Sequence, residues 1–435
     1  MEKTKLHELL LENKKRFFSK IDIGEYIPRE IQYTVAPLLN TKEILFITGI
    51  RRSGKSTLLL LLAKDLMKQY NVPIHNLFYF NFEDERCVDF TLSDFSVLYE
   101  LYLELENPIG KKYFFIDEIQ SIPGWERWVN RMYENEDCKF FITGSNTSLL
   151  SSDISTTLTG RNIQIVNYPF SFKEFLKCKN VHINDNDVYI TETRATIKHL
   201  LHEYMQIGGF PEAAKTGSTI LLENYFRDIL YSDIIARHKI RNSKEIRELA
   251  LYCISNIATI QSFNAIKKFL KIKSITSVKK YLQYFEDVYL FYFINLFDYS
   301  VKRQIYNPSK LYIADIGLYN AIGFKYSQNI GHSIENILFN HLIRGYKDIF
   351  YWKSKNGLEV DYIIRQGYTI TDSIQVTATI ENPVVKDREI RALLSAKKEL
   401  NPHNLIIITM DDEQTCTIDN TTISVIPLWK WLLFH

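Results

Sequence analysis

ILFITGIRRSGKSTLLLLLAKDL, residues 44–66, is the stretch from which the rest of the chain can be read. Residues 44–48 are an apolar run, and 55–70 repeats apolar residues at helical spacing. Between them, Gly49-Ile50-Arg51-Arg52-Ser53-Gly54-Lys55-Ser56-Thr57 fits the GxxxxGK[ST] pattern of a phosphate loop. A triphosphate must be held without bulky side chains in the way. Small residues let successive backbone N–H groups point inward, and the helix N-terminus adds its partial positive charge. Gly49, Arg51, Arg52, Ser53, Gly54, Lys55, Ser56 and Thr57 are therefore the expected ATP-binding residues. Lys55 is expected on the β- and γ-phosphates, and Ser56 on Mg2+.

Outward from this loop, 77–82, 113–116, 140–143 and 163–168 read as further buried strands, with helices at 93–106 and 125–135. That alternation predicts a parallel α/β sheet. The strand at 113–116 runs into Asp117-Glu118. A carboxylate buried at a strand end needs a compensating cation. Asp117 is expected to hold Mg2+ through water, and Glu118 to orient and deprotonate the water attacking the γ-phosphate. Ser145 and Asn146 follow the next strand; one of them positions the water or the γ-phosphate, or the pair simply caps a helix. Arg161 either places its guanidinium on transition-state charge, in cis or across a subunit boundary, or forms a surface salt bridge.

The 435 residues suit two to four domains, and 46% hydrophobic content excludes disorder for the bulk of them. With 27 Tyr and 27 Phe against 16 Gly and 11 Pro, collagen-like and low-complexity classes are excluded too. No apolar run approaches the ~18–20 residues of a membrane span, so no membrane partner is expected. The charged N-terminus lacks the apolar centre of a signal peptide. Five scattered cysteines, without CxxC spacing, read as buried thiols of a reducing compartment, and the expected setting is cytoplasmic.

The net charge of +2 conceals two blocks. Residues 75–137 carry 14 acidic and 5 basic side chains, whereas 237–310 carry 14 basic and 5 acidic. Within the basic block, 246–255, 262–270 and 274–285 read as short amphipathic helices with a tight break at 271–274. Residues 289–297 and 310–313 read as strands of a wing. Lys267, Lys268, Lys271, Lys273, Lys279 and Lys280 cluster at the turn and third helix, as a DNA-reading helix requires. A packing or protein-contact role for the same module is the alternative.

The order GxRRxGKST, Asp117-Glu118, Thr143-Gly144-Ser145-Asn146, Gly160-Arg161 and Tyr168-Pro169-Phe170-Ser171-Phe172 resembles bacterial and archaeal AAA-type ATPases of unknown function. Gly208-Gly209-Phe210-Pro211-Glu212 and Pro308-Ser309-Lys310-Leu311-Tyr312-Ile313-Ala314-Asp315-Ile316-Gly317-Leu318 extend the resemblance over nearly the whole chain beyond about residue 25. It implies a P-loop ATPase core (31–192), a helical lid (193–240), a winged helix (241–328) and a restriction-endonuclease-like tail (329–435); ahead of these, 1–30 reads as a helical extension that either covers the core or contacts another subunit. In the tail, Glu335 on a helix, Asp361 on a strand and Gln375 on the next resemble the PD-(D/E)xK nuclease order. The motif's glutamate and lysine are replaced by Gln375 and Thr377, so the nuclease site is expected to be degenerate. Lys353, Lys355 and Lys386 are candidates for a migrated lysine.

The leading expectation is Mg2+-dependent ATP hydrolysis that moves the winged helix and tail. The alternatives are a nucleic-acid-binding or nucleic-acid-cleaving effector gated by ATP, and a slow nucleotide switch acting on protein partners or by self-association.

Overall fold

The computed structural model describes residues 1–23, 26–147, 158–184, 186–323 and 330–435, in two units, Met1–Tyr168 and Pro169–His435. In the first unit, β1 (Ile44–Thr48), β2 (Leu77–Asn81), β3 (Lys112–Asp117), β4 (Cys138–Thr143) and β5 (Asn162–Val166) form a parallel sheet. The strand order is β2-β3-β4-β1-β5. Burial of both faces is why β1 to β4 read as continuous apolar runs. The edge strand β5 is mostly half-buried, with Gln164 exposed, which corrects the reading of 163–168 as a buried strand. Side-chain alternation splits the core. Phe46, Phe80, Phe114 and Phe140 cluster with residues of α4 (Asp94–Glu106) and α5 (Trp125–Asn135). Leu45, Phe115 and Phe141 cluster with those of α3 (Lys55–Gln69). Phe114 stacks on Phe140 with centroids 4.9 Å apart, and Phe115 on Phe141 at 4.7 Å.

The first helix, α1 (Lys3–Ile23), lies over the edge strand β2, and the short α2 (Ile31–Val35) precedes β1. Phe17 stacks on Tyr79 at 3.9 Å, and the Asn13 side-chain carbonyl accepts the Asn81 N–H at 3.1 Å. A covered edge cannot recruit a foreign strand. This helix is part of the first unit's core.

In the second unit, α6 (Phe172–Cys178), α7 (Thr191–Ile207), α8 (Pro211–Thr216) and α9 (Thr219–Asp228) come first, and α9 continues into the π-helical Ile229–Ala236. The unit therefore begins ahead of a helix that the sequence reading assigns to the ATPase core. Next come α10 (Ser243–Ser255), β6 (Thr259–Gln261), α11 (Phe263–Leu270), α12 (Ile275–Asp287), β7 (Phe291–Ile294), α13 (Val301–Tyr306) and β8 (Ser309–Ile313). The Ser262 and Ser274 hydroxyls cap α11 and α12, as expected of serines at those positions. The three strands pair antiparallel in the order β6-β8-β7. Neither β6 nor α13 was anticipated.

The chain then runs through α14 (Ile316–Ile322) and α15 (Ile330–Gly345) into β9 (Asp348–Lys353), β10 (Glu359–Gln366) and β11 (Thr369–Val376). After α16 (Pro383–Leu400) come β12 (Asn404–Thr409), β13 (Gln414–Ile418), β14 (Thr421–Pro427) and α17 (Leu428–Phe434). These six strands form one mixed sheet in the order β13-β14-β12-β11-β10-β9. The domain junction expected at 328 lies outside the described residues.

One joint of the second unit uses the glycine motifs. Asp315 accepts the Gly209 N–H at 2.6 Å and the Gly317 N–H at 2.9 Å. Phe170 N–H donates to the Gly209 carbonyl at 2.6 Å, and a Cβ on Gly209 would stand 2.2 Å from the Phe170 carbonyl oxygen. Burial pushes Asp315 up to about 7, against the pull of its two N–H donors. No described helix is long and apolar enough to cross a membrane. All five cysteines are free thiols, but Cys178 and Cys416 are only half-buried, which corrects the expectation for those two.

Candidate nucleotide site

The loop after β1 is shaped by two glycines. Gly49 has φ +138°, and a Cβ there would meet the Asn167 carbonyl oxygen at 2.4 Å. Gly54, at φ 93°, takes the N-cap position of α3, so Lys55, Ser56 and Thr57 form that helix's first turn. Ser53 sits between them, its carbonyl accepting from Arg29 at 3.1 Å and from the Asn167 amide at 3.0 Å. Arg29 also donates to the Tyr168 carbonyl at 2.6 Å, which ties the loop to the end of β5. Arg52 takes φ 67°, and Arg51 pairs with Glu83 at 2.6 Å. The Lys55 ammonium is buried and folds onto the loop's own carbonyls, Gly49 at 3.1 Å and Ile50 at 3.3 Å.

With β4 lying between β1 and β3, Thr143 at its end stands between the loop and the two carboxylates. The Thr143 hydroxyl donates to Asp117, and its oxygen accepts the Glu118 N–H at 3.1 Å. Tyr79 donates to the other Asp117 oxygen at 3.2 Å. Burial, reinforced by Glu118, pushes Asp117 above the usual carboxylate range, while hydrogen bonds from Ser56 and Thr143 and the Lys55 charge act against it. Ser56 and Asp117, the two residues expected at Mg2+, are thus near enough for Ser56 to favour the ionised carboxylate.

Glu118 adopts a left-handed φ of 54°, an uncommon conformation for a non-glycine residue. One carboxylate oxygen lies 3.7 Å from Lys55. The other accepts from Gln120 and from the Ser145 N–H, the latter at 3.2 Å. Asn146 is buried just beyond Ser145. A glycine cradle, a lysine within it and a buried acid that needs a cation together fit a triphosphate with Mg2+.

Arg161 stands elsewhere. It precedes β5, whose first residue pairs with Ile44 at the start of β1, four residues or about 13 Å from the end that carries the loop. Its guanidinium donates to Asn130, pairs with Glu134 at 2.8 Å and lies over the Tyr133 ring. These contacts are the salt-bridge alternative for Arg161, and strand polarity puts them at the opposite end of the strands from the loop. Sequence reasoning missed Arg29, Tyr79, Gln120, Thr143 and Asn167. Of these, only Thr143 carried a local signal, as the polar end of an apolar strand.

In the tail, Glu335 of α15 and Asp361 of β10 do converge. Both bind the ammonium of Lys310, Glu335 at 2.8 Å and Asp361 at 2.7 Å. Gln375 has its side-chain oxygen on the Asp361 N–H at 2.8 Å, which leaves that oxygen holding β10 to β11. The lysine in the cluster is Lys310, on β8, rather than Lys353, Lys355 or Lys386.

A family model described as AAA domain matches residues 41–176. Two described as domains of unknown function, DUF8612 and DUF4143, match 198–328 and 330–431. An uncharacterized protein of Methanocaldococcus jannaschii is 36% identical over 430 residues, covering 95% of this chain and 92% of that protein. The chain belongs to its family. An uncharacterized protein of Haemophilus influenzae, 32% identical over 419 residues, covers 94% of this chain and 97% of its own length. Residues 41–176 of this chain are thus an AAA-type P-loop domain. Among solved structures, the Aeropyrum pernix ORC1 protein in complex with DNA is 12% identical, covering 70% of this chain and 95% of that one, with a TM-score of 0.30. The replication initiator DnaA bound to AMPPCP and single-stranded DNA is 15% identical, covering 60% and 90%, with a TM-score of 0.28.

Proposed function

We propose that the first unit binds and hydrolyses ATP with Mg2+. The observation that carries this is the buried Lys55 ammonium, folded onto the Gly49 and Ile50 carbonyls and 3.7 Å from Glu118, with Thr143 linking Glu118 to buried Asp117. Gly49 to Thr57 would cradle the phosphates, with Lys55 exchanging the Gly49 and Ile50 carbonyls for phosphate oxygens. Ser56 and, through water, Asp117 would hold Mg2+, which supplies charge neutralisation on those oxygens. Glu118 would accept the proton of the attacking water, while Ser145 and Asn146 border the place where that water must lie. Nucleotide turnover would then act on the second unit.

Titration of ATP into wild type and Lys55→Ala tests the binding half. A hydrogen-bonded charge pair contributes about 1.5–3 kcal/mol, so Lys55→Ala is expected to bind ATP roughly 10- to 100-fold more weakly. Equal affinity would remove Lys55 from the site.

A second reading concerns α10 to β8, which we propose to be a winged helix that contacts DNA. It is favoured by the exposure of Lys268, Lys271, Lys273, Lys279 and Lys280 along α11, the turn and α12. The expected affinity falls steeply with salt, and removal of Lys279 and Lys280 lowers the log–log slope by up to about 2 units. Binding that ignores salt would leave this module as a protein contact. The six-stranded sheet with α15 is proposed as the restriction-endonuclease-like domain, in a form without nuclease chemistry.

A further inference from the structure

β8 is the middle strand of its three-stranded sheet, and every one of its residues is buried. Lys310 and Tyr312, two apart, share one face of the strand, and both reach α15 or β10. Tyr312 donates to Glu335 at 2.7 Å and stacks on Phe339 at 4.2 Å. The Asn336 side chain pairs with both backbone groups of Ile313, each at 2.9 Å. Docked in this way, β8 delivers the Lys310 ammonium into a ring of carboxylates: Asp361 at 2.7 Å, Glu335 at 2.8 Å and Glu359 at 3.1 Å. Lys310 is 2% exposed.

Of the ammonium's three donor hydrogens, two go to Asp361 and Glu359, and Glu335 stands as the third carboxylate in ion-pair contact. Burial alone would lower the lysine's affinity for its proton, but Asp361, Glu335 and Glu359 hold it well above the ordinary value. Two of the carboxylates make further bonds. The second Asp361 oxygen accepts the Val376 N–H at 2.9 Å, and the Glu335 oxygen on Lys310 also takes the Tyr312 hydroxyl. Asp361 lies within a register shift between Val360 and Ile363 in the β9–β10 pairing, the kind of irregularity at which side chains are re-aimed. Among the described residues, no three carboxylate, imidazole or thiol groups are arranged to hold a metal as they stand. A hard divalent cation would want these same oxygens. Placing it beside a fixed ammonium in a buried site sets two cations a few ångströms apart, an unfavourable arrangement at low dielectric.

We propose that Lys310 is the built-in cation of the C-terminal carboxylate site, standing where Glu335, Glu359 and Asp361 would otherwise gather a divalent metal ion. The site is therefore metal-free, and its work is to fasten β8, and with it the three-stranded module, to the six-stranded sheet. Removal of the ammonium should turn the fastener into a metal site.

Mn2+ titrated into the nucleotide-free full chain, followed by its EPR signal and by thermal unfolding, tests this. Wild type and Asp361→Asn should bind no saturable ion and keep their melting temperatures unmoved by Mn2+. Lys310→Met should melt lower and bind one added ion per chain at about 1 mM or tighter, with the melting temperature rising as it binds. The double variant Lys310→Met/Asp361→Asn should lose that ion. An ion in wild type that disappears in Asp361→Asn overturns the proposal, since Lys310 would then accompany a metal rather than replace it. A folded Lys310→Met without the added ion overturns it as well. Lys310→Gln serves where Lys310→Met does not fold. If neither folds, the comparison of wild type with Asp361→Asn still decides by the same criterion.

Discussion

Glu118→Gln is expected to bind ATP as wild type does and to hydrolyse it at least about 100-fold more slowly. The substitution keeps the size of the side chain and an oxygen that can accept from Gln120 and the Ser145 N–H, so the local fold should survive. It removes a proton acceptor that lies beside Lys55 and, unlike Asp117, is not buried behind Thr143 and Tyr79. General-base catalysis contributes typically about 10²–10⁴-fold, which sets the size of the effect. Single-turnover hydrolysis, measured beside ATP affinity, separates chemistry from binding. Equal turnover by the two proteins would exclude Glu118 as the base.

Gly209→Ala should destabilise the second unit by about 3 kcal/mol or more. The new Cβ would stand 2.2 Å from the Phe170 carbonyl oxygen and 2.9 Å from its nitrogen. Neither is the end of a flexible side chain, so two backbone segments must separate. Their separation breaks the Phe170-to-Gly209 hydrogen bond and strains the Gly209 N–H bond to buried Asp315. Gly345→Ala is the control, because its Cβ would meet nothing within 4 Å. Chemical unfolding monitored in both variants should show a large loss for Gly209→Ala and almost none for Gly345→Ala. Similar losses would mean that the close approach is not what position 209 requires.

The phosphate loop, the Asp117-Glu118 pair and the five parallel strands were legible because each is written in consecutive residues. A buried strand, a glycine turn and a helix start need no information from elsewhere in the chain. The short β6 has three residues and α13 has six, too few for a period to be read, and tertiary pairing defines them. Thr143 and Tyr79 became partners of Asp117 only when β4 and β2 took their places on either side of β3. Arg161 reads like a catalytic arginine in order along the chain, yet parallel strand polarity carries it to the other end of the strands from the phosphate loop.

Lys310 is the clearest division between the two kinds of information. In sequence it is a lysine in an apolar strand, 25 residues before Glu335 and 51 before Asp361. Its identity and strand are local facts, fixed by composition and periodicity. Its function depends on which face of β8 meets α15 and on Asp361 of β10 lying within reach of it. The physical reason is range: backbone preference acts over a few residues, whereas a buried charge must find its counter-charge wherever packing brings one within hydrogen-bonding distance.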